Sequence, residues 1–181
     1  MTAGITDPEV QQLAGIAATL QSDYLKSDDD PWEGSPFAWI LACPSRQRGA
    51  IGERLVAGWC AAKGADVVRS TTSAYDREIN SQRVEIKFST LWKAGGFKFQ
   101  QIRDQDYDQL LCLGIMPFDA ACWVIPKPVL HEHVIGRTGQ HTGRTGAGTA
   151  WISFQAGSPP EWMAPYGGSL AEAWRVLAAL G

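Results

Sequence analysis

One short stretch, Tyr75 to Ser89 (YDREINSQRVEIKFS), carries two carboxylates and an amine at a spacing suited to cleaving a phosphodiester. Val84, Ile86 and Phe88 alternate with Glu85 and Lys87, so a strand here sends its apolar residues to one face and the acid and base to the other. Asp76 to Ile79 reads as a shorter strand, and Asn80-Ser81-Gln82 is rich in turn formers. If Asn80 and Ser81 make a two-residue turn, Asp76 falls opposite Glu85. Two facing carboxylates repel until a proton or a cation relieves them. A hard divalent cation does so through oxygen ligands, which makes Asp76, Glu85 and the main-chain carbonyl of Ile86 the candidate ligands of a Mg²⁺ ion. Lys87 could orient or deprotonate an attacking water, although serving as the base requires a pKa below the ordinary ~10.4. The ordinary alternative for Glu and Lys alternating on a strand is a solvated face or a cross-strand ion pair. Glu78 rivals Asp76 as the first acid but lies too near the turn to face Glu85.

The elements around this hairpin must position it. A helix is predicted from about Arg46 to Lys63, with Ser45 as N-cap and Gly64 as its stop. Ile51, Leu55 and Trp59 form its stripe, with Val56 and Cys60 alongside. Glu53 shares a face with Ala57 and Ala61, whose small side chains let a sheet approach; solvation is the commoner fate of a helix carboxylate. Ala65 to Arg69 is a candidate strand. Asp108 to Met116 and Ala120 to Ile125 read as buried strands, the second closed by Pro126 and Pro128. A short helix bearing Gln100, Gln101, Arg103 and Gln105 is expected within Phe97 to Asp106. Trp151 to Phe154 supplies a further strand, and Leu170 to Leu180 a closing helix with Ser169 and Glu172 as its capping box. This order implies an α/β fold with a mixed central sheet flanked by helices.

At 181 residues the chain is long enough for one domain with a full core, and no stretch approaches the length of a membrane span. Residues 1–44 read as an N-terminal helical extension: Val10, Leu13, Ile16, Ala17 and Leu20 make a stripe over residues 8–26, an acidic link follows, and Phe37 to Leu41 would bury readily. The first residues lack the basic and apolar regions of a secretory signal. Cys43, Cys60, Cys112 and Cys122 are widely spaced among apolar neighbours, which points to buried thiols in a reducing, cytoplasmic compartment and to no zinc-site spacing. Net charge is −3, but residues 1–36 hold seven acids against Lys26, a local −6 that leaves the remainder at +3. A DNA-facing surface is therefore permitted outside the acidic head. Residues 131–150 hold all three histidines, five glycines, Arg137 and Arg144, and a single acid, Glu132. That segment supplies little core and suits a ligand-contacting loop.

Asp76, eight intervening residues, then Glu85-Ile86-Lys87 resembles the signature of the PD-(D/E)xK nuclease superfamily, in particular its type II restriction endonucleases. Ala74-Tyr75 stands where the family name has a proline. The resemblance covers roughly residues 46–125 and implies a restriction-endonuclease-like core in which the first acid opens a β-hairpin and the triplet lies on its second strand. It implies a catalytic set of Asp76, Glu85 and Lys87, with Glu53 matching the upstream helix glutamate of many members, and Mg²⁺ as cofactor. The stretch Phe97 to Ile115 is similar to the helix and strand that follow the site in several restriction enzymes. The implied activity is Mg²⁺-dependent, sequence-specific cleavage of double-stranded DNA by a homodimer whose symmetry matches a palindromic target. Lys93 and Lys98 are candidate phosphate contacts, Gln101 and Arg103 candidate contacts to the scissile strand. Arg137, Gln140, His141 and Arg144 suit base-edge recognition. Two other readings stay open: a repair or junction-resolving nuclease of the same fold, and a DNA-binding module that has lost its metal chemistry.

Overall fold

The computed structural model describes residues 7, 8, 10–16, 30–137 and 148–180. The chain divides into two compact units, residues 1–33 and 34–181. In the first, residues 10–16 are helical and Val10, Leu13 and Ile16 are exposed. The rest of the stripe predicted over residues 8–26 lies outside the described residues.

In the second unit the chain opens with α1 (Ala38–Leu41) and α2 (Ser45–Ala62) and then enters strands β1 (Val67–Arg69), β2 (Arg77–Ile79) and β3 (Gln82–Thr90). Of the apolar run Phe37 to Leu41, Ile40 is fully buried while Trp39 stays exposed. Ser45 is the first residue of α2 rather than its cap. The N-cap position belongs to Pro44, whose extended backbone sets the entry and which has no side-chain donor or acceptor to offer. Gly64, at φ +86°, takes the left-handed conformation just past the helix end.

Five strands form the main sheet in the order β1-β2-β3-β5-β6, with β5 spanning Gln109–Ile115 and β6 Ala120–Pro126. Only β3 and β5 run parallel, so the sheet is mixed, as the element order implies. A parallel pair needs a crossover. Here it is strand β4 (Gly96–Arg103), where a short helix was expected, and β4 pairs antiparallel with β7 (Thr149–Gln155) in a separate two-stranded sheet. The sequence FKFQQIR conceals this. Phe97 and Phe99 alternate as a strand requires, but a bulge at Gln100 and Gln101 inserts an extra residue before Ile102 returns to the same face. With the bulge counted, Phe97, Phe99 and Ile102 are all buried, as are Ala150 and Ile152 on β7.

The main sheet is covered on both faces. Register puts Val84, Ile86 and Phe88 beside Gln109, Leu111 and Leu113, on the face against which α2 packs. Contact is close: a Cβ on Gly52 would fall 2.4 Å from the Phe88 side chain. Helix α4 (Leu170–Ala178) packs against β6, and its Ser169–Glu172 capping box forms as the sequence indicates. The opposite face, with Leu110, Cys112, Trp123 and Ile125, meets the β4–β7 sheet, α3 (Lys127–His133) and a 3-10 helix (Glu161–Tyr166). Phe97, Phe99, Trp123 and Phe154 form an aromatic cluster there, with ring centroids 5.2–6.5 Å apart. The cysteines are free, and Cys60, Cys112 and Cys122 are buried, with the Cys60 thiol pushed up to about 12 by burial. Among the described residues no helix is long and apolar enough to cross a membrane.

The α2–β3 contact fixes the helix that carries Glu53 against the strand that carries Glu85, and it can be tested by two substitutions in one helix. Gly52→Ala forces Phe88 aside and should cost roughly 1–3 kcal/mol, in spite of the better helix propensity of alanine. Gly58→Ala meets nothing within 4 Å and should stabilise by about 0.5–1 kcal/mol. Urea denaturation of both variants measures the contrast.

Candidate functional site: a carboxylate pair beneath a basic cleft

The β2–β3 hairpin closes through Asn80 and Ser81, at φ +48° and +65°. Both central residues are left-handed, as a type I′ turn requires. The register runs Ile79–Gln82, Glu78–Arg83 and Arg77–Val84 and ends there; Asp76, the next residue, brings its carboxylate within hydrogen-bonding reach of Glu85. Asn80 also anchors the turn to the start of β1: its N–H donates to the Asp66 carbonyl at 2.9 Å and its side-chain oxygen accepts from the Asp66 N–H at 3.0 Å. Glu78 stays near the turn, opposite Arg83.

Strand β2 starts only at Arg77, which leaves the edge of β3 beyond Val84 without a main-chain partner strand. The Asp76 side chain continues the pairing. Its N–H donates to the Val84 carbonyl at 3.1 Å, and its Oδ2 accepts from the Ile86 N–H at 2.8 Å. In a strand the N–H and C=O of one residue point to the same edge, so the Ile86 carbonyl also points toward this side. Glu85 and Lys87 project from the other face of β3, where Lys87 Nζ lies 2.7 Å from Glu85 Oε1.

Glu85 is 7% exposed, because its face of the sheet borders the core between the two sheets. Burial raises its pKa; the Lys87 ammonium opposes this, and the Asp76 carboxylate, within hydrogen-bonding reach, raises it further. Glu53 reaches the same place from α2. Burial raises its pKa first and Asp76 second, against the pull of Arg77, Lys87 and Arg69. The Arg77 guanidinium sits 3.6 Å from Glu53 Oε2 and donates to the Asp76 carbonyl at 2.7 Å, bridging helix and hairpin. Among the described residues no three His, Cys, Asp or Glu side chains converge closely enough to hold a metal by themselves. The donors available are thus the Asp76–Glu85 pair together with main-chain oxygen.

A cleft of about 600 Å³ opens over this pair. Glu53, Asp76, Ile86 and Lys87 line it, whereas the buried Glu85 is not part of the lining. Its walls add Arg46 and Arg48 from the start of α2, and Lys98, Gln100 and Gln101 from β4. The lining therefore holds four bases, Arg46, Arg48, Lys87 and Lys98, against two acids, a net +2 in a chain whose total is −3. The bulge in β4, with Gln101 at φ +57°, is what turns both glutamines toward the cleft.

The remaining expected contact residues are distributed unevenly. Lys93 is exposed in the β3–β4 turn, off the cleft lining. Arg103 is exposed at the end of β4, with its carbonyl accepting from the Tyr107 hydroxyl at 2.9 Å. Arg137 is exposed in the turn after α3, whereas Gln140, His141 and Arg144 lie outside the described residues. His131 and His133 sit on α3 rather than in a loop. His133 stacks on Trp162 at 4.9 Å, and His131 lies 3.4 Å from Asp104. Among the cleft residues that escape sequence reasoning are Arg46, Arg48, Trp92 and Ser89. The arginines lie on the first turn of a helix whose end had no visible neighbour, and nothing in the sequence signals the other two.

No protein-family model and no curated protein sequence matches this chain. Among solved structures, the bacterial homing endonuclease I-Ssp6803I is similar, with a TM-score of 0.50 over 76% of this chain and 94% of that one, at 17% sequence identity. The likeness is one of fold: a central mixed sheet flanked by helices, similar to that of an endonuclease.

Because Glu85 titrates above the usual carboxylate range, its ionised form is the one the folded protein tolerates least. The stability associated with its proton is present at low pH and is lost as pH rises through the raised pKa. Glu85→Gln should therefore raise the melting temperature more at pH 7.5 than at acid pH, against the loss of the Lys87 ion pair. The gain should shrink as pH falls, because protonation of the parent carboxyl removes the buried charge. Thermal unfolding in EDTA across that range checks the sign.

Proposed function

We propose that this chain is a Mg²⁺-dependent endonuclease hydrolysing double-stranded DNA at a specific sequence, in the manner of a type II restriction enzyme acting as a homodimer. One observation carries the reading: the Asp76 and Glu85 carboxylates stand together, both partly or wholly withdrawn from water, with Asp76 lining a cleft whose walls are net positive. A pair of like charges in that setting fits a divalent cation, and the donor set, two carboxylates and the Ile86 carbonyl, is the oxygen-rich kind such ions take. When bound, Mg²⁺ would neutralise charge at phosphorus and lower the pKa of a bound water.

The protein's own groups supply the rest. The Ile86 N–H holds Asp76 in place, so one ligand is fixed before any ion arrives. Glu85 anchors Lys87, whose ammonium is placed to orient the attacking water. Glu53, restrained by Arg77, borders the site and can hold a second water or ligand shell. Arg46, Arg48 and Lys98 meet phosphates, and Gln101 contacts the scissile strand beside them. The fold neighbour, a homing endonuclease, supports DNA cleavage and favours a second reading, a homing rather than a restriction nuclease.

Digestion of mixed-sequence DNA in Mg²⁺ or in EDTA, followed by sequencing of the ends, tests both. Ends sharing a short motif are expected; a much longer shared site favours homing, and random nicking favours a repair enzyme. Asp76→Ala, Glu85→Ala and Lys87→Ala should each reduce cleavage by at least about 10²-fold with unchanged circular dichroism. Binding without cleavage by the parent would leave only a DNA-binding module.

A further inference from the structure

The mouth of the cleft carries a feature that phosphodiester chemistry does not require. Trp92 sits in the turn between β3 and β4 with 51% of its surface exposed. A large indole left in water is costly. Yet its backbone is fixed on both sides, by donation from its N–H to the Gly96 carbonyl at 2.9 Å and acceptance from the Gly95 N–H at 2.8 Å. The ring is therefore displayed on a rigid turn. It borders the carboxylate cleft on one side and, on the other, a concavity of about 320 Å³ bounded by Gly96, Lys98, Ser153 and Gln155.

Lys98 stands between two indoles. Its Nζ lies 3.9 Å from the Trp151 ring centroid and 5.6 Å from that of Trp92. Such contacts restrain a flexible side chain while leaving ammonium protons to donate. An exposed flat π-surface beside a restrained cation matches one chemical unit, a nucleobase joined to its phosphate. In duplex DNA the faces of the bases are covered by their neighbours, so an indole can stack only on a base that has left the helix.

Resting on the nuclease reading of the adjacent cleft, we infer that Trp92 stacks an unpaired base while Lys98 holds its phosphate, so that the strand entering the site is locally opened or single-stranded. The substrate class is thus DNA with at least one unstacked nucleotide next to the scissile bond.

Binding of labelled short oligothymidylate, compared with a strand of equal length and charge that lacks bases, isolates the stack when measured by fluorescence anisotropy in EDTA at fixed salt. The parent should prefer the base-bearing strand by on the order of 10- to 100-fold. Trp92→Ala should erase the preference, Trp92→Phe should keep much of it, and Lys98→Ala should weaken both strands alike. Equal binding of the two strands by the parent, no binding of either, or an unchanged preference in Trp92→Ala would overturn the inference. Plasmid cleavage in Mg²⁺ is scored separately. Base-dependent binding without cleavage removes the nuclease reading and leaves the stack, whereas cleavage without base preference removes only the stack. Asp76→Ala, which disables the cleft chemistry, should retain the preference.

Discussion

The hydrogen bond from the Ile86 N–H to the Asp76 carboxylate is the contact on which the site depends. The β2–β3 strand pairing that starts at the turn stops at Arg77–Val84, and beyond it β3 would present an unpaired edge. By supplying a side-chain acceptor there, Asp76 satisfies the donor and at the same time brings its own charge to Glu85. One interaction sets the length of the hairpin and the position of an acid. Burial is the main cause that raises the Glu85 pKa, and the neighbouring Asp76 charge adds to it.

Two covered faces produce that burial. On an exposed strand, Glu85 and Lys87 would form a screened surface pair of small energetic consequence. Here the aromatic core between the sheets comes up to Glu85, and α2 closes the other side through Gly52 and Phe88. Desolvation then heads the causes that raise both Glu85 and Glu53. The crossover strand β4 serves twice. Its apolar residues complete the core, and its bulge directs Gln100 and Gln101 into the cleft. A straight strand would have kept the alternation and lost one of these roles.

Arg77 links the two halves of this arrangement. It approaches Glu53 on the helix while donating to the main chain of Asp76 on the hairpin, so a displacement of α2 is felt at the carboxylate pair. Its position next to Asp76 in sequence places it on the opposite face of the strand, the face that looks toward α2.

Sequence by itself determined the local geometry of the site. The turn residues Asn80 and Ser81 and the period-two alternation from Val84 to Phe88 settle the register of β2 and β3 as far as Arg77–Val84. The buried strands β5 and β6, helix α2 and the capped helix α4 were legible for the same reason: each is specified by residues close together in the chain. Strand β4 was not, because its bulge breaks the alternation over seven residues and its pairing partner, β7, lies some fifty residues away. What only tertiary structure decided is the company the site keeps. The burial of Glu85, the approach of Glu53 and Arg77, and the gathering of Arg46, Arg48, Lys98 and Trp92 around one cleft all arise from contacts between elements distant in sequence. Such contacts are fixed by packing, and no short-range pattern encodes them.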